Sequence, residues 1–509
     1  MSPLQTIIGG MSSLKQINVI ATLNRVARLL ARQGYQGYVV GGFIRDRFLG
    51  RQTNDIDIAV DGDALNIAKE MAKSLHGKFV LLDEVNSIAR VVVIEEGQRW
   101  HLDFSSFSGS IESDLARRDF TINAMAVELS QIGADMALKL IDPFSGREDL
   151  RSRTVRAVGE QIFEADAARL LRAVRLAAEL GFTIETKTES LIRRYSQSIT
   201  KVHGERVREE LLRLFSLPQA AHYLRYLDKL GLLPTLVPEL VESKGVEQPT
   251  VHFWDVFDHS LQTVATVEFL LRENDWEYGN EDMLATAPWS DAIAQHLSQE
   301  VSKGSTHKAL LKLGGLFHDI AKPRTKSVDN AGRAHFYGHT KQGADMAAAI
   351  LNRLRFSNKE ISLVKSLVYH HLRPAQMSTS GELPTKRAIY RYFRDTGDAD
   401  IDVLLLALAD YLASRGPLVN MGEWKGHCQL MNYILTEHEK QQTKVLPVKL
   451  IDGHDLINIF GLSPGPLIGE LLALVREAQA DGELTTKEEA LDLVRRELNK
   501  QQCGVRSGK

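Results

Sequence analysis

Two aspartates one residue apart, Asp55 and Asp57, lie in the run Asp55-Ile56-Asp57-Ile58-Ala59-Val60. Alternation at period two predicts a strand, with both carboxylates on one face roughly 7 Å apart and Ile56 and Ile58 buried on the other. Carboxylates held side by side repel unless they are solvated or bridged by cations. A Mg²⁺ pair joining such groups to nucleotide phosphates is the arrangement used in two-metal phosphoryl and nucleotidyl transfer. Upstream, the apolar run Tyr38-Val39-Val40 stops at Gly41-Gly42, and Phe43 to Leu49 has helical spacing. Two glycines at a strand-to-helix junction let backbone N–H groups approach a phosphate. Arg45, in the first helical turn, can offer its guanidinium fork to phosphate oxygens.

Gly-Gly-x-x-Arg-Asp followed by Asp-x-Asp resembles the nucleotidyltransferase superfamily that includes DNA polymerase beta. More narrowly it resembles the class II tRNA nucleotidyltransferases (CCA-adding enzymes) and their bacterial poly(A) polymerase relatives. The superfamily implies a third carboxylate on a neighbouring strand, and Asp103, at the end of an expected strand from Arg99 to Phe104, is the candidate. The stretch Asp114-Leu115-Ala116-Arg117-Arg118-Asp119-Phe120-Thr121-Ile122-Asn123-Ala124 matches the family's second signature without departure. Arg118 then supplies donors for a triphosphate, while Asp119 and Asn123, one helical turn apart, can tie their helix to the phosphate loop. Ile141 to Leu150, a turn with Pro143 and Gly146, matches a third, structural motif.

The stretch Ala165-Asp166-Ala167-Ala168-Arg169-Leu170-Leu171-Arg172-Ala173-Val174-Arg175 resembles the family's nucleotide-selecting helix, with Ala165 where the family has Glu. Asp166 and Arg169 keep an i, i+3 spacing. Cytosine and adenine each present an amine donor beside a ring-nitrogen acceptor, which a carboxylate next to a guanidinium matches. Uracil and guanine present the reverse, and a site whose buried polar groups go unpaired rejects such partners by roughly 10⁴ or more in the best cases. Arg172 and Arg175 are assigned to phosphate or ribose. Arg193, Arg194, Lys201, Arg206 and Arg208 are candidate contacts to an RNA backbone.

A second set of residues follows. His318 and Asp319 are adjacent, with His259 before them, His339 and His370 after them, and Asp410 on a later helix. Their order resembles the HD metal-dependent phosphohydrolase superfamily. Imidazoles and carboxylates together suit a divalent transition metal that activates water.

The elements that must carry these groups fit a long multidomain chain. Its 509 residues exceed one core. Hydrophobic content of 44% and charged content of 25% are those of ordinary globular proteins, and a net charge of −3 leaves nucleic-acid binding to local basic clusters. Two cysteines, Cys428 and Cys503, exclude a disulfide scaffold, and no apolar run is long enough for a bilayer, so a cytoplasmic location is expected. The expected fold is α+β and multidomain: a DNA polymerase beta-like head with a mixed sheet, then an all-α neck, a body with the HD domain, and a tail. The expected boundaries are 1–34 (N-terminal helix, from Ile17 to Arg32, after a poorly ordered start), 35–152 (head), 153–245 (neck and body, helical throughout from Thr154 to Phe215), 246–440 (HD domain) and 441–509 (tail). Arg272 to His307 reads as an insertion loop with one short helix. In the tail, glycine-rich helix starts at Gly453 and Gly461 to Pro466 can hold the tRNA elbow by its phosphates, and Gln501 to Lys509 is expected to be disordered.

The resemblance implies template-independent addition of C and/or A, from CTP and ATP, to the 3′ end of tRNA, with Mg²⁺ at Asp55 and Asp57 and contact to the acceptor stem. Poly(A) polymerase of the same family, and a phosphohydrolase whose head binds RNA, are the alternatives.

Overall fold

The computed structural model describes residues 14–95, 97–132, 139–249, 251–378, 382–443 and 449–506. The expected poorly ordered start falls on residues 1–13, outside those described. The chain divides into two compact units, one of residues 1–210 and 226–236, the other of residues 211–225 and 237–509.

The first unit is built on a six-stranded sheet: β1 (Gly37–Val40), β2 (Asp55–Val60), β3 (Lys78–Asp83), β4 (Ile88–Glu95), β5 (Gln98–Ser106) and β6 (Ala126–Glu128), in the order β3-β4-β5-β2-β1-β6. Only β2 and β5 pair in parallel, which makes the sheet mixed. That pairing sets Asp57 directly opposite Asp103. Asp103 is therefore in mid-strand, not at a strand end as the sequence suggested, because β5 runs on to Ser106. On the other face of β2, Ile56 and Ile58 are fully buried. Helix Ala64–Ser74 packs on the sheet at β3, β4 and β5, burying Ile67, Ala68 and Met71, and Asp63 caps it by accepting from the Leu65 and Asn66 N–H groups. Each such apolar side chain contributes roughly 1.5–3 kcal/mol on burial, so the carboxylate face rests on a stiff support. The N-terminal helix spans Leu14–Arg32 and buries Leu23, Val26 and Leu30.

The segment after the sheet is not helical throughout. β7 (Thr154–Val155) and β8 (Thr183–Ile184) form a short parallel pair around helices Ile162–Ala165 and Arg169–Leu180. The periodicity of the flanking helices hides strands this short.

The second unit is α-helical apart from two-stranded ribbons. Its core packs helix Val256–Leu270 against His307–Phe317 and Asp400–Arg415, with His339–Arg353 against Asn358–His370. His252 precedes the first of these helices. The Arg272-to-His307 segment holds two helices, Glu281–Thr286 and Asp291–Ser298, and a hairpin of Glu300–Ser302 with Ser305–Thr306, more structure than its polarity suggested. Asn280 and Ser290, each accepting from an N–H three residues on, start the two helices. The tail packs Leu456, Leu471, Val475 and Val494 into a small core. Helices begin at Gly453 and Pro466 as expected, the first through a capping box of Asp452 and Asp455. The last helix, Lys487–Arg506, runs on through Gln501, where disorder was expected; residues 507–509 lie outside those described. No described helix is long and apolar enough to cross a membrane.

Candidate active site and metal centre

β1 ends at Gly41, whose φ of 73° and ψ of −132° lie where only glycine is at ease. The Gly41 N–H donates to the Met125 carbonyl (3.2 Å) and pins the turn beside the Arg118–Asn123 segment. A Cβ at Gly41 would stand 3.0 Å from Arg118 Nη1 and 3.2 Å from Asp57 Oδ2. The glycine turn, a guanidinium and the second aspartate thus converge on one point.

Asp57 makes no ion pair among the described residues. Burial raises its carboxyl above the usual carboxylate range; Arg118 pulls it back, and Asp103 pushes it further up. Its two neighbours are compensated. Asp103 accepts from Arg90 Nε and Nη2, both at 2.7 Å, while Asp55, with its side chain 65% exposed, pairs with His101 Nδ1 (2.8 Å) and lies 3.9 Å from Arg90 Nη2. Three carboxylates on adjacent strands, the central one unpaired and partly buried, form an oxygen donor set that fits a hard divalent cation. Arg90 and His101 were not singled out from the sequence. The signal for them is register, since Arg90 lies opposite Asp103 on β4 and His101 opposite Asp55 on β5.

Several expected nucleotide contacts turn inward instead. Arg45 is buried; its Nε and Nη2 donate to Asp46 and its Nη1 to Asn123 Oδ1 (2.8 Å). Its guanidinium therefore braces the helix behind Gly42 and presents no fork to phosphate. Asn123 Nδ2 donates to Asp119 Oδ1 (3.1 Å), completing the tie between the two motifs that their spacing suggested. Burial disfavours charge on Asp119, but Arg172 at 2.9 Å and the Asn123 and Phe120 donors outweigh it and hold the carboxyl below the usual range. Arg172, half exposed, is thereby spoken for on one edge. Arg175 is buried and paired with Glu210 (2.8 Å) and Glu179 (2.6 Å), so it is a core ion pair and not a phosphate or ribose contact.

Asp166 and Arg169 do not share a helix face. Asp166 is the extended C-cap of helix Ile162–Ala165, and the next helix begins only at Arg169. Their charged groups come no closer than 3.9 Å, whereas Arg206 grips Asp166 with both terminal nitrogens, at 2.9 and 2.7 Å. Arg169 Nη2 donates to the Arg117 carbonyl (2.9 Å) and so joins this corner to the Arg117-Arg118 turn. Arg206 thus pairs with a carboxylate and is not a free backbone contact.

In the second unit His259, His318, Asp319, His339 and Asp410 come together, and the sixth residue is His371, not His370. Helix Asn358–His370 ends so that His371 turns into the core, 1% exposed, with Nε2 3.9 Å from Asp319 Oδ1, while His370 faces outward to a cavity. His318, His339 and His371 each engage, through Nδ1, the carbonyl three residues before them (2.7–2.8 Å), which aims each Nε2 at the cluster. His259 Nε2 lies 3.3 Å from Asp319 Oδ2 and 3.0 Å from Asp410 Oδ1. Asp319 is shared by two ligand groups, one with His259 and His318 and one with His339 and His371. Both oxygens of Asp319 and the Nε2 atoms of His339 and His371 are buried without a hydrogen-bond partner, although Lys322 Nζ stands 2.6 Å from Asp319 Oδ2. Buried orphan donors and acceptors aimed at one point fit a bound cation. Burial drives His371 down to about 4; it opposes charge on His318 too, but Asp319 and Asp410 outweigh it there and lift that imidazole to about 10.

The chain is 34% identical, over 462 residues, to the CC-adding tRNA nucleotidyltransferase of Thermus thermophilus, covering 89% of this chain and 92% of that one. The chain belongs to the tRNA nucleotidyltransferase family. Another relative in the family is the A-adding enzyme of Deinococcus radiodurans, 32% identical with 90% of this chain and 94% of that one covered. Family profiles assign residues 37–156 to the poly A polymerase head domain, 181–243 to the "Probable RNA and SrmB-binding site of polymerase A", 256–415 to the HD domain and 420–494 to tRNA nucleotidyltransferase domain 2. Among solved folds, the Thermotoga maritima CCA-adding enzyme complexed with tRNA aligns at 21% identity and a TM-score of 0.57, with 97% of this chain and 98% of that one covered. A CCA-adding enzyme in complex with ATP aligns at 21% identity and a TM-score of 0.61, with 97% of both chains covered. The α+β multidomain reading of this tRNA nucleotidyltransferase is thereby borne out.

Proposed function

We propose that the chain extends the 3′ end of tRNA with C and/or A, using CTP and/or ATP. The observation that carries this reading is the unpaired Asp57 carboxylate, facing Asp103 in register and meeting Arg118 at the Gly41 turn. Asp55 and Asp57 hold Mg²⁺, which when bound lowers the cost of deprotonating the tRNA 3′-hydroxyl and of expelling pyrophosphate. Arg90 orients Asp103 and His101 orients Asp55, the carboxylates that with Asp57 would face the ion. Arg118, with the Gly41 and Gly42 backbone, holds the triphosphate. The 3′ oxygen bonds to the α-phosphorus as the bond to the β-phosphate oxygen breaks.

Asp166 selects the base. Its carboxylate accepts the exocyclic amine of C or A while a guanidinium donates to the ring nitrogen; Arg206 already binds Asp166, and Arg169 stands next to it. U and G meet acceptor with acceptor and donor with donor there. We assign catalysis to the head (35–152), selection and RNA contact to the neck (153–245), metal-dependent phosphoester hydrolysis to the second unit's HD centre (within 246–440) and a tRNA contact to the tail (441–509). The shared Asp319 supports that hydrolytic assignment, with His259, His318 and Asp410 on one side of it and His339 and His371 on the other.

The test offers tRNA transcripts ending at the discriminator base, at C or at CC, with each labelled nucleotide in turn. Incorporation confined to C or A, stopping at a completed end, supports the reading and separates full CCA addition from CC- or A-addition. A homopolymeric A tail on unrelated RNA would assign the chain to poly(A) polymerase instead. Phosphate release from a cyclic nucleotide with no incorporation would leave the head only an RNA-binding role.

A further inference from the structure

We propose that the second unit carries another transition-metal site, formed by His296, His307 and Asp402 and separate from the HD centre. The three come from distant parts of the chain. His296 lies on helix Asp291–Ser298 of the polar insertion, His307 opens helix His307–Phe317, and Asp402 lies in the first turn of helix Asp400–Arg415. Asp402 and Asp410 share that last helix two turns apart, so the sites are separated by roughly 12 Å along its axis.

The donor atoms converge. His296 Nε2 is 2.6 Å and His307 Nδ1 is 3.0 Å from the same Asp402 oxygen, and the two imidazoles lie 4.2 Å apart. Asp402 is fully buried, and its other oxygen has no hydrogen-bond partner. A purely structural bridge gives no reason to crowd both imidazoles onto one oxygen while leaving its twin bare, since a buried unpaired acceptor costs roughly 1–3 kcal/mol. Two imidazoles and a carboxylate with a spare oxygen are a donor set for a borderline divalent ion such as Zn²⁺ or Co²⁺. Such an ion takes each ligand at about 2.0–2.2 Å, so the cluster opens by a few tenths of an ångström as the shared protons leave. His296 and His307 also line a cavity of about 1370 Å³, which keeps a fourth coordination position open to water or a ligand.

The test uses the full-length chain equilibrated with Co²⁺ and freed of excess ion. Protein carrying Asp319→Ala, which removes the carboxylate shared within the HD centre, is expected to retain one Co²⁺ per chain with a visible absorption band. Adding His296→Gln should abolish both. Where Asp319→Ala does not fold, as judged by circular dichroism, wild type is compared with His296→Gln alone. His296 sits at the cavity wall, so that substitution is mild, and the expected loss is one ion per chain. Retention of no Co²⁺ by folded Asp319→Ala protein, or an unchanged count on His296→Gln, overturns the proposal.

Discussion

Replacing Gly41 by alanine should separate the two glycines of the turn. At Gly41 the backbone (φ 73°, ψ −132°) is one that a side chain resists, at a cost of roughly 1–3 kcal/mol. The new Cβ would also press on Arg118 Nη1 at 3.0 Å and Asp57 Oδ2 at 3.2 Å, so relief moves the two groups assigned to the triphosphate and the ion. For a unit of this size, 1 kcal/mol lowers Tm by roughly 2–4 °C, so Gly41→Ala should melt about 2–12 °C lower. A shift of about 1 Å in a catalytic group costs on the order of 10²-fold in rate. Gly42, by contrast, has its nearest neighbour, Arg45 Nη2, 3.7 Å from where a Cβ would lie, and its φ is ordinary. Gly42→Ala should therefore keep its melting temperature. Differential scanning fluorimetry and single-turnover nucleotide incorporation on both variants give the comparison. Equal stability and equal rates for Gly41→Ala and wild type would refute the packing argument.

Other substitutions bear on charge. Burial raises the Asp57 carboxyl above 3.8, so the native state binds more protons than the unfolded chain in the window from 3.8 up to the raised value; stability falls across that window and stays lower at neutral pH. Asp57→Asn should thus melt above wild type at pH 7–8, lose that advantage below 3.8 and incorporate no nucleotide, as pH-dependent melting and the incorporation assay would show. Arg175→Met leaves the half-buried Glu210 without this partner, while Glu179 keeps Arg51, and should cost roughly 1–3 kcal/mol in urea unfolding with no selective rise in nucleotide KM, since Arg175 faces no open site. His371→Ala should weaken metal binding at the HD centre at least 10–100-fold, and His370→Ala should leave it as in wild type; metal content by mass spectrometry distinguishes them.

The strands, the glycine turn and the aspartate pair were legible because each is a local pattern, apolar alternation or a turn residue at a fixed offset. Asp57 and Asp103 face each other as the superfamily likeness implied, although which strand pairs with which is a tertiary fact. What the pattern could not show was where long side chains go. Arg45 and Arg175 carry the same fork as Arg118, and only packing decides that two turn to Asp46, Asn123, Glu179 and Glu210 while the third, its Nε and Nη2 on Asp114, keeps Nη1 at the Gly41 turn. Asp166 and Arg169 were read at helical spacing, but the helix breaks between them and Arg206, from a distant helix, takes the carboxylate. His370 and His371 differ by one step of about 100° around a helix, a rotation that adjacent identical residues hide. Arg90 and His101 needed the sheet register to be recognised at all.

The account rests on Asp55 and Asp57 as the groups that hold Mg²⁺ for extension of an RNA end. The most direct measurement is Mg²⁺-dependent incorporation of labelled CTP or ATP into tRNA lacking its 3′ end, by wild type, Asp55→Ala and Asp57→Ala, with tRNA affinity measured in parallel. The account predicts incorporation abolished in both variants with tRNA binding nearly intact. Incorporation near the wild-type rate in either variant would contradict it.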